Sequence, residues 1–337
     1  MTEANSTTDL DIGTPTAPAS FMVSARAFAS EEQARSLAGA VGESVRLLSC
    51  NFDLSGLDGV TVAYDYPQAL LDLDRGYQSK HQLTSSDGLA VGVAMTPSVL
   101  RAGALKSHIV FNAAFVAGIE DAKHENYRFA LHLIAHECAH AEITRKFDAA
   151  FPGVLLRQSH ADSRTHYRWD CILACWDEYA ATRLSAEFGE DPTDGYERTF
   201  LGHLAQARNV ANDRIKAYRI HHKLDQVLAE VYSEYGNLLK FAAYHLGNLD
   251  GHGVDPGDRP ETAAALREHW FAPYFELLHT RCRAIAEGYG RWNDMRSFDL
   301  IGDLLEDVLA AGGLHFSQTP DGRLQVNIPF TAETMPG

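Results

Sequence analysis

His136, Glu137 and His140 form an HExxH motif, in which two histidines are one helical turn apart. Residues at positions i and i+4 share one face of a helix, so both imidazoles can reach a single metal ion. Glu137 projects from nearly the same face and is close enough to take a proton from a metal-bound water without being a ligand. The motif therefore predicts one zinc ion per chain, bound by His136 and His140, with Glu137 as the general base.

The predicted third ligand comes from a second helix. Metzincins carry Gly and His where this chain has Ile143 and Lys146, so their ligand set is excluded. Glu178 lies in a predicted helix, and its neighbours at helical spacing are all small. These neighbours are Cys171, Ala174, Cys175, Ala181, Thr182 and Ser185. A face of small residues lets a carboxylate approach another helix closely, so we predict Glu178 as the third ligand, as in the thermolysin-type set of two His and one Glu.

Two alternatives to Glu178 stay open. Asp177 is adjacent in sequence and points about 100° away around the helix, which makes it the main rival. Cys171 and Cys175 are also one turn apart and could supply a thiolate, as in deformylase-like hydrolases, although such cysteines more often belong to a core. A donor that stabilises an oxyanion is usually a His or Tyr opposite the metal. Candidates for that donor are His160, His166, Tyr167 and Tyr244.

Local patterns predict the elements that precede the motif. A capping box at Ser30 predicts a helix that runs to about Leu48. Runs of β-branched and aromatic residues predict strands at 60–64, 89–95 and 108–115. A small mixed sheet is therefore expected before the motif helix.

The rest of the chain is predicted to be mainly helical. Apolar residues at helical spacing from Glu125 onward predict the helix that carries the motif. The second ligand helix is predicted at 171–188, with Asp170 as its N-cap. A Gly- and Pro-rich stretch at 246–260 predicts a loop, and alternating apolar residues at 314–328 predict a terminal β-hairpin.

Composition excludes several classes of partner. The 337 residues carry 45 acidic and 29 basic side chains, a formal net charge of −16, which argues against binding to nucleic acid or to anionic membranes. The sequence contains no apolar run long enough to predict a transmembrane helix. Five cysteines are an odd number, which argues against a disulfide framework and favours a cytoplasmic location.

The segment from the predicted strands through FALHLIAHECAH to DEYAATRLSA resembles the gluzincin metallopeptidases. It looks most like their small intracellular ImmA/IrrE-type branch, and the resemblance covers roughly residues 85–190. The resemblance implies a zincin-like core, in which a small mixed sheet packs on the HExxH helix and on a second ligand helix. It also implies that His136, His140 and Glu178 bind zinc and that Glu137 is the base.

We therefore expect an α+β protein in three parts. These are a disordered leader at 1–20, a zincin-like catalytic domain at 21–194, and a mostly helical region at 195–337 that ends in the hairpin. The expected function is zinc-dependent hydrolysis of a peptide bond, with a peptide or protein substrate and a protein partner for the C-terminal helices. The alternatives are a non-enzymatic regulatory protein with a degenerate metal site, and a zinc hydrolase with a non-peptide substrate. Three protein ligands would favour catalysis, since structural zinc sites usually have four.

Overall fold

The computed structural model describes residues 13–79, 82–85, 92–156, 160, 162–321 and 323–336. The fold is α+β, with a small mixed sheet, a separate two-stranded sheet and many helices. The chain divides into two compact units. The first comprises Met1–Ser85 and Val93–Arg145, and the second comprises Ser86–Gly92 and Lys146–Gly337.

The first unit is built on the mixed sheet. Its strands are β1 (Met22–Arg26), β2 (Leu57–Ala63), β3 (Ala94–Met95), β4 (Ser98–Arg101) and β5 (Ala104–Asn112). β2 pairs in parallel with both β1 and β5, while β3 and β4 both pair antiparallel with β5. β2 and β5 are rich in buried β-branched residues, as expected for the centre of a sheet. Among the described strands, β3 and β4 therefore form one edge and β1 the other.

The helices of the first unit follow local capping signals. They are α1 (Glu31–Leu48), α2 (Tyr66–Leu71), α3 (Ala113–Val116) and most of α4 (Tyr127–Ala150). Ser30 Oγ accepts a hydrogen bond from Gln33 N at 3.2 Å, which confirms the predicted start of α1. α4 includes the motif, so the predicted motif helix is also confirmed.

Three sequence predictions for this unit need comment. The predicted strand at 108–115 is too long, because Asn112 Oδ1 accepts from Ala114 N at 3.1 Å and starts α3 there. Of the predicted strand at 89–95, residues 89–91 lie outside the described residues, and β3 covers only the last two positions. Residues 1–12 of the predicted leader also lie outside the described residues. Further along the leader, Thr16 N donates to Ser49 O at 3.1 Å, which ties this segment to the end of α1.

The second unit is helical and ends in a hairpin. Its elements are α5 (Ser163–Ser185), α6 (Thr193–His221), α7 (Leu224–His252), α8 (Pro260–Leu266), α9 (Ala272–Glu287), α10 (Arg296–Ala311), β6 (His315–Gln318) and β7 (Leu324–Asn327). α7 is central and contacts α5, α6, α9 and α10. Phe316 on β6 is paired with Val326 on β7, which confirms the predicted hairpin.

Two boundaries in this unit differ from the sequence predictions. α5 begins at Ser163 because Asp162 Oδ1 accepts from Thr165 N at 2.9 Å, so Asp162 is the N-cap in place of Asp170. The predicted loop at 246–260 is wrong over its first half, since α7 continues to His252. The helix is followed by Gly253 as its C-cap, whose φ of 67° is readily adopted only by glycine.

Within the described part of the chain, no helix is both long enough and apolar enough to cross a membrane. The predicted cytoplasmic location and the predicted domain boundaries stay predictions.

Candidate metal centre

His136 and His140 are brought together on the buried side of α4. Their Nε2 atoms are 3.0 Å apart and their ring planes are nearly perpendicular, at 88°. Two nitrogens that each lie about 2.0–2.1 Å from a tetrahedral zinc ion are roughly 3.3 Å apart. The two side chains are only 7% and 8% exposed, so the pair is largely shielded from solvent. The donor atoms are imidazole nitrogens, which zinc accepts as ligands, and their separation is slightly shorter than in such a site and also suits a hydrogen bond between the two rings.

The rotation of α4 about its axis is fixed by polar contacts in the turn that follows the motif. Glu142 is buried, and its Oε2 accepts a hydrogen bond from Asp53 N at 2.6 Å. Arg145 Nη1 pairs with Asp53 Oδ2 at 2.9 Å and completes the contact. On another side of α4, Ile134 and Cys138 are fully buried. These contacts hold the helix in one orientation and thereby set the direction of the histidine pair.

Glu137 lies between the two histidines in sequence and is 5% exposed. Thr96 Oγ1 is 2.7 Å from Glu137 Oε2 and 3.2 Å from the Glu137 carbonyl oxygen. Tyr66 is also buried, and burial together with the negative charge of Glu137 raises the pKa of its phenol. Sequence reasoning missed both Thr96 and Tyr66. No local pattern marks either residue, because each reaches the environment of Glu137 only through the tertiary fold.

Glu178 and Asp177 both lie on α5 and are half-buried. The Glu178 backbone oxygen accepts a hydrogen bond from Thr182 Oγ1 at 2.8 Å. Small residues flank Glu178 along the helix, and Ala181, Thr182 and Ser185 are all buried. The predicted role of Glu178 as third ligand stays a prediction, as does the alternative at Asp177.

The cysteine alternative involves two neighbouring buried thiols. Cys171 and Cys175 are buried on α5, with Sγ atoms 3.7 Å apart. Burial, reinforced by a hydrogen bond with Cys171, raises the pKa of the Cys175 thiol well above its usual range. Burial likewise raises the pKa of Cys138, inside the motif. Such burial is typical of core cysteines, but a bound metal ion would itself deprotonate a thiol, so the cysteine alternative stays a prediction.

The four candidate oxyanion donors lie in the second unit. His166 Nε2 is 3.3 Å from Asp170 Oδ2, in a pair that is about half exposed. The Tyr167 ring packs 5.3 Å from Tyr232, and His160 stacks at 6.5 Å on Trp169. The Tyr244 ring lies 5.4 Å from that of Tyr196 and 5.7 Å from that of Phe241. Their proposed contribution to catalysis stays a prediction.

The geometry of α4 thus places two nitrogen donors and one carboxylate within two helical turns. Such an arrangement can bind a divalent metal ion and accept a proton from a nearby water. Comparison with family models, with curated proteins and with solved structures gave no match for this chain.

Proposed function

We propose that this chain is a zinc-dependent metallopeptidase that resembles the gluzincins, with a zincin-like core of the ImmA/IrrE type. In this proposal His136, His140 and Glu178 bind one zinc ion, and Glu137 is the general base. The observation that carries it is the 3.0 Å separation of the two buried Nε2 atoms, with the buried Glu137 carboxylate on the same helix. Glu178 enters the proposal by its chemistry, since a carboxylate is the third ligand in the zinc sets of two His and one Glu.

The proposed reaction is the hydrolysis of an amide bond by water. When bound, zinc would polarise the scissile carbonyl and lower the pKa of the attacking water. Glu137 takes one proton from that water as its oxygen bonds to the carbonyl carbon. Glu137 then passes the proton to the nitrogen as the carbon–nitrogen bond breaks. Since Glu137 is only 5% exposed, its charge is little screened by solvent, which strengthens its action on the reacting water.

A peptide is the substrate class that the sheet favours. The β3–β4 edge contains Thr96, which contacts Glu137, so this edge runs beside the general base. Part of the β4 edge is already paired, because Leu100 N donates to Arg75 O at 2.8 Å, so an extended peptide would add beside β3 through backbone hydrogen bonds. A peptide bound in this way would lie near the carboxylate that transfers the proton.

The test is the Glu137→Gln variant of the full chain, purified without chelator. Gln keeps the size of Glu but cannot accept the proton. We expect about one zinc ion per chain by elemental analysis in both proteins, and a fall of at least ~10²-fold in cleavage of a fluorescent generic protein substrate. Glu43→Gln, an exposed change on α1 with the same loss of charge, is the matched control and should keep full activity.

Three results would count against the proposal. A wild type that takes up no zinc would exclude the metal site. An active wild type with an equally active Glu137→Gln variant would exclude the general base. A zinc-loaded wild type that cleaves neither proteins nor peptide libraries would favour the regulatory alternative.

A further inference from the structure

We infer that Thr96 is a positioning residue that holds the Glu137 carboxylate in its reactive orientation; this inference rests on the proposed function. Thr96 Oγ1 lies 2.7 Å from Glu137 Oε2, which is an ordinary distance for a hydroxyl that donates to a carboxylate. The same oxygen lies 3.2 Å from the Glu137 backbone oxygen. Thr96 therefore contacts both the side chain and the backbone of the general base.

The fold holds Thr96 on a rigid part of the sheet. It lies between β3 and β4, and the register with β5 is the same on both sides, with Met95 opposite Val110 and Ser98 opposite Ser107. Pro97 O also accepts a hydrogen bond from His108 N at 3.0 Å, so the intervening segment is anchored as well. A hydroxyl fixed in this way needs little reorganisation to keep its hydrogen bond during a reaction.

The contact distinguishes the two oxygens of the carboxylate. The Thr96 hydroxyl donates to Oε2, so Oε1 is the oxygen from which this contact takes no lone pair, and we assign to it the proton of the attacking water. Without the hydroxyl, the carboxylate can rotate about its last torsion, and the fraction of molecules in the productive orientation falls. Thr96 does not bind the metal in this scheme, so its loss should leave zinc binding unchanged.

The first experiment compares Thr96→Val with Thr96→Ser. Val has a similar shape but no hydroxyl, whereas Ser keeps the donor. We expect Thr96→Val to lower kcat about 10-fold with KM changed less than about twofold, and Thr96→Ser to restore most of the lost kcat. Zinc content should be the same in all three proteins. Thr199→Val, on α6, is the matched control and should keep the activity of the wild type.

The second experiment needs no activity. A double-mutant cycle of Thr96→Val and Glu137→Ala, read by urea unfolding, measures whether the two side chains interact. A hydrogen bond to a charged group should make the cycle non-additive by roughly fivefold or more in the unfolding equilibrium constant. If the Val variant does not fold, Thr96→Ala, which also removes the hydroxyl, takes its place in the cycle, and the same non-additivity is expected.

The outcomes distinguish a failure of the positioning role of Thr96 from a failure of the proposed function. An additive cycle overturns the contact and with it the positioning role. A coupled cycle in which Thr96→Val keeps full kcat overturns the positioning role and leaves the proposed function standing. A wild type that binds zinc but hydrolyses nothing overturns the proposed function and this inference together, whatever the cycle shows.

Discussion

Five ionisable side chains of α4 are buried within three turns of the helix. His132, His136, Glu137, His140 and Glu142 are each at most 8% exposed. Burying such groups is unfavourable unless they are hydrogen-bonded, paired or bound to a metal ion. Glu142 binds the backbone of Asp53 and Glu137 accepts from Thr96, while the Nε2 atoms of His136 and His140 are 3.0 Å apart. This concentration of polar groups is typical of a binding site and unusual for a packing surface.

The third ligand is the residue-scale assignment most open to test. We expect Glu178→Ala to weaken zinc binding strongly, because losing one of three ligands should remove several kcal/mol of the roughly 10 or more that a protein zinc site supplies. Asp177→Ala should weaken it much less, and this neighbouring residue is also half-buried, so it serves as the matched control. Competition with a fluorescent chelator measures the zinc affinity of the two variants. If Asp177→Ala is the change that removes the metal, Asp177 is the ligand and Glu178 is not.

At the scale of the elements, one carboxylate on α7 connects three helices. The Asp250 side chain is 5% exposed and accepts hydrogen bonds from Tyr179 on α5 and from His279 and Arg283 on α9. Burial alone would raise the pKa of Asp250. The hydrogen bonds from His279, Arg283 and Tyr179 outweigh burial and hold the pKa of Asp250 well below its usual range. The charged form of Asp250 is therefore part of the packing of α5, α7 and α9.

We expect Asp250→Ala to lower the free energy of unfolding by about 3 kcal/mol or more, because it leaves His279 and Arg283 without their shared acceptor. Asp213→Ala removes a surface pair with Lys216 from a side chain that is 72% exposed, and should change stability by at most about 0.5 kcal/mol. Urea unfolding of both variants tests the difference. Equal effects of the two substitutions would show that the Asp250 network contributes no more than a surface ion pair.

At the scale of the whole molecule, a buried histidine should make global stability depend on pH. His245 on α7 is fully buried, and its Nε2 is 3.0 Å from the Thr262 hydroxyl. That hydroxyl donates to Glu197 Oε1, so it must accept from His245, which fixes the neutral Nε2–H tautomer. Burial lowers the pKa of His245 from its ordinary value of 6.5 to about 4. The negative charge of Glu197 opposes this shift, and the positive charge of Arg259 adds to it.

The sign of the effect follows from proton binding in the two states. Between pH 6.5 and about 4 the unfolded chain takes up a proton on His245 that the folded chain does not, so stability falls as the pH is lowered. Between pH 7 and pH 5 this one group should remove about 2 kcal/mol from the free energy of unfolding. His245→Phe keeps a ring against Phe200 but cannot titrate, so its stability should fall less over the same interval. Urea unfolding at the two pH values measures the difference, and parallel losses in both proteins would exclude His245 as the cause.

The sequence by itself determined the features that depend on local spacing. The two histidines of the motif are four positions apart, so any helix through them places both on one face. Ser30 and Gln33 form the N-cap of α1 within four residues, and the hairpin at the C-terminus follows from alternation around a turn. Such features were predictable because the residues that make them are neighbours in the chain.

Only the tertiary structure decided the features that join distant residues. Gly247 and Gly251 predict a loop by composition, yet both are helical because α5 approaches α7 closely there. An added Cβ would lie 2.1 Å from Tyr179 O at Gly247 and 2.4 Å from Ala186 Cβ at Gly251. Packing there outweighs the low helix propensity of glycine. The contact between Thr96 and Glu137 spans 41 positions. No local pattern encodes such a contact, because it exists only once β5 has paired with the edge strands and α4 has been fixed against the loop that carries Asp53.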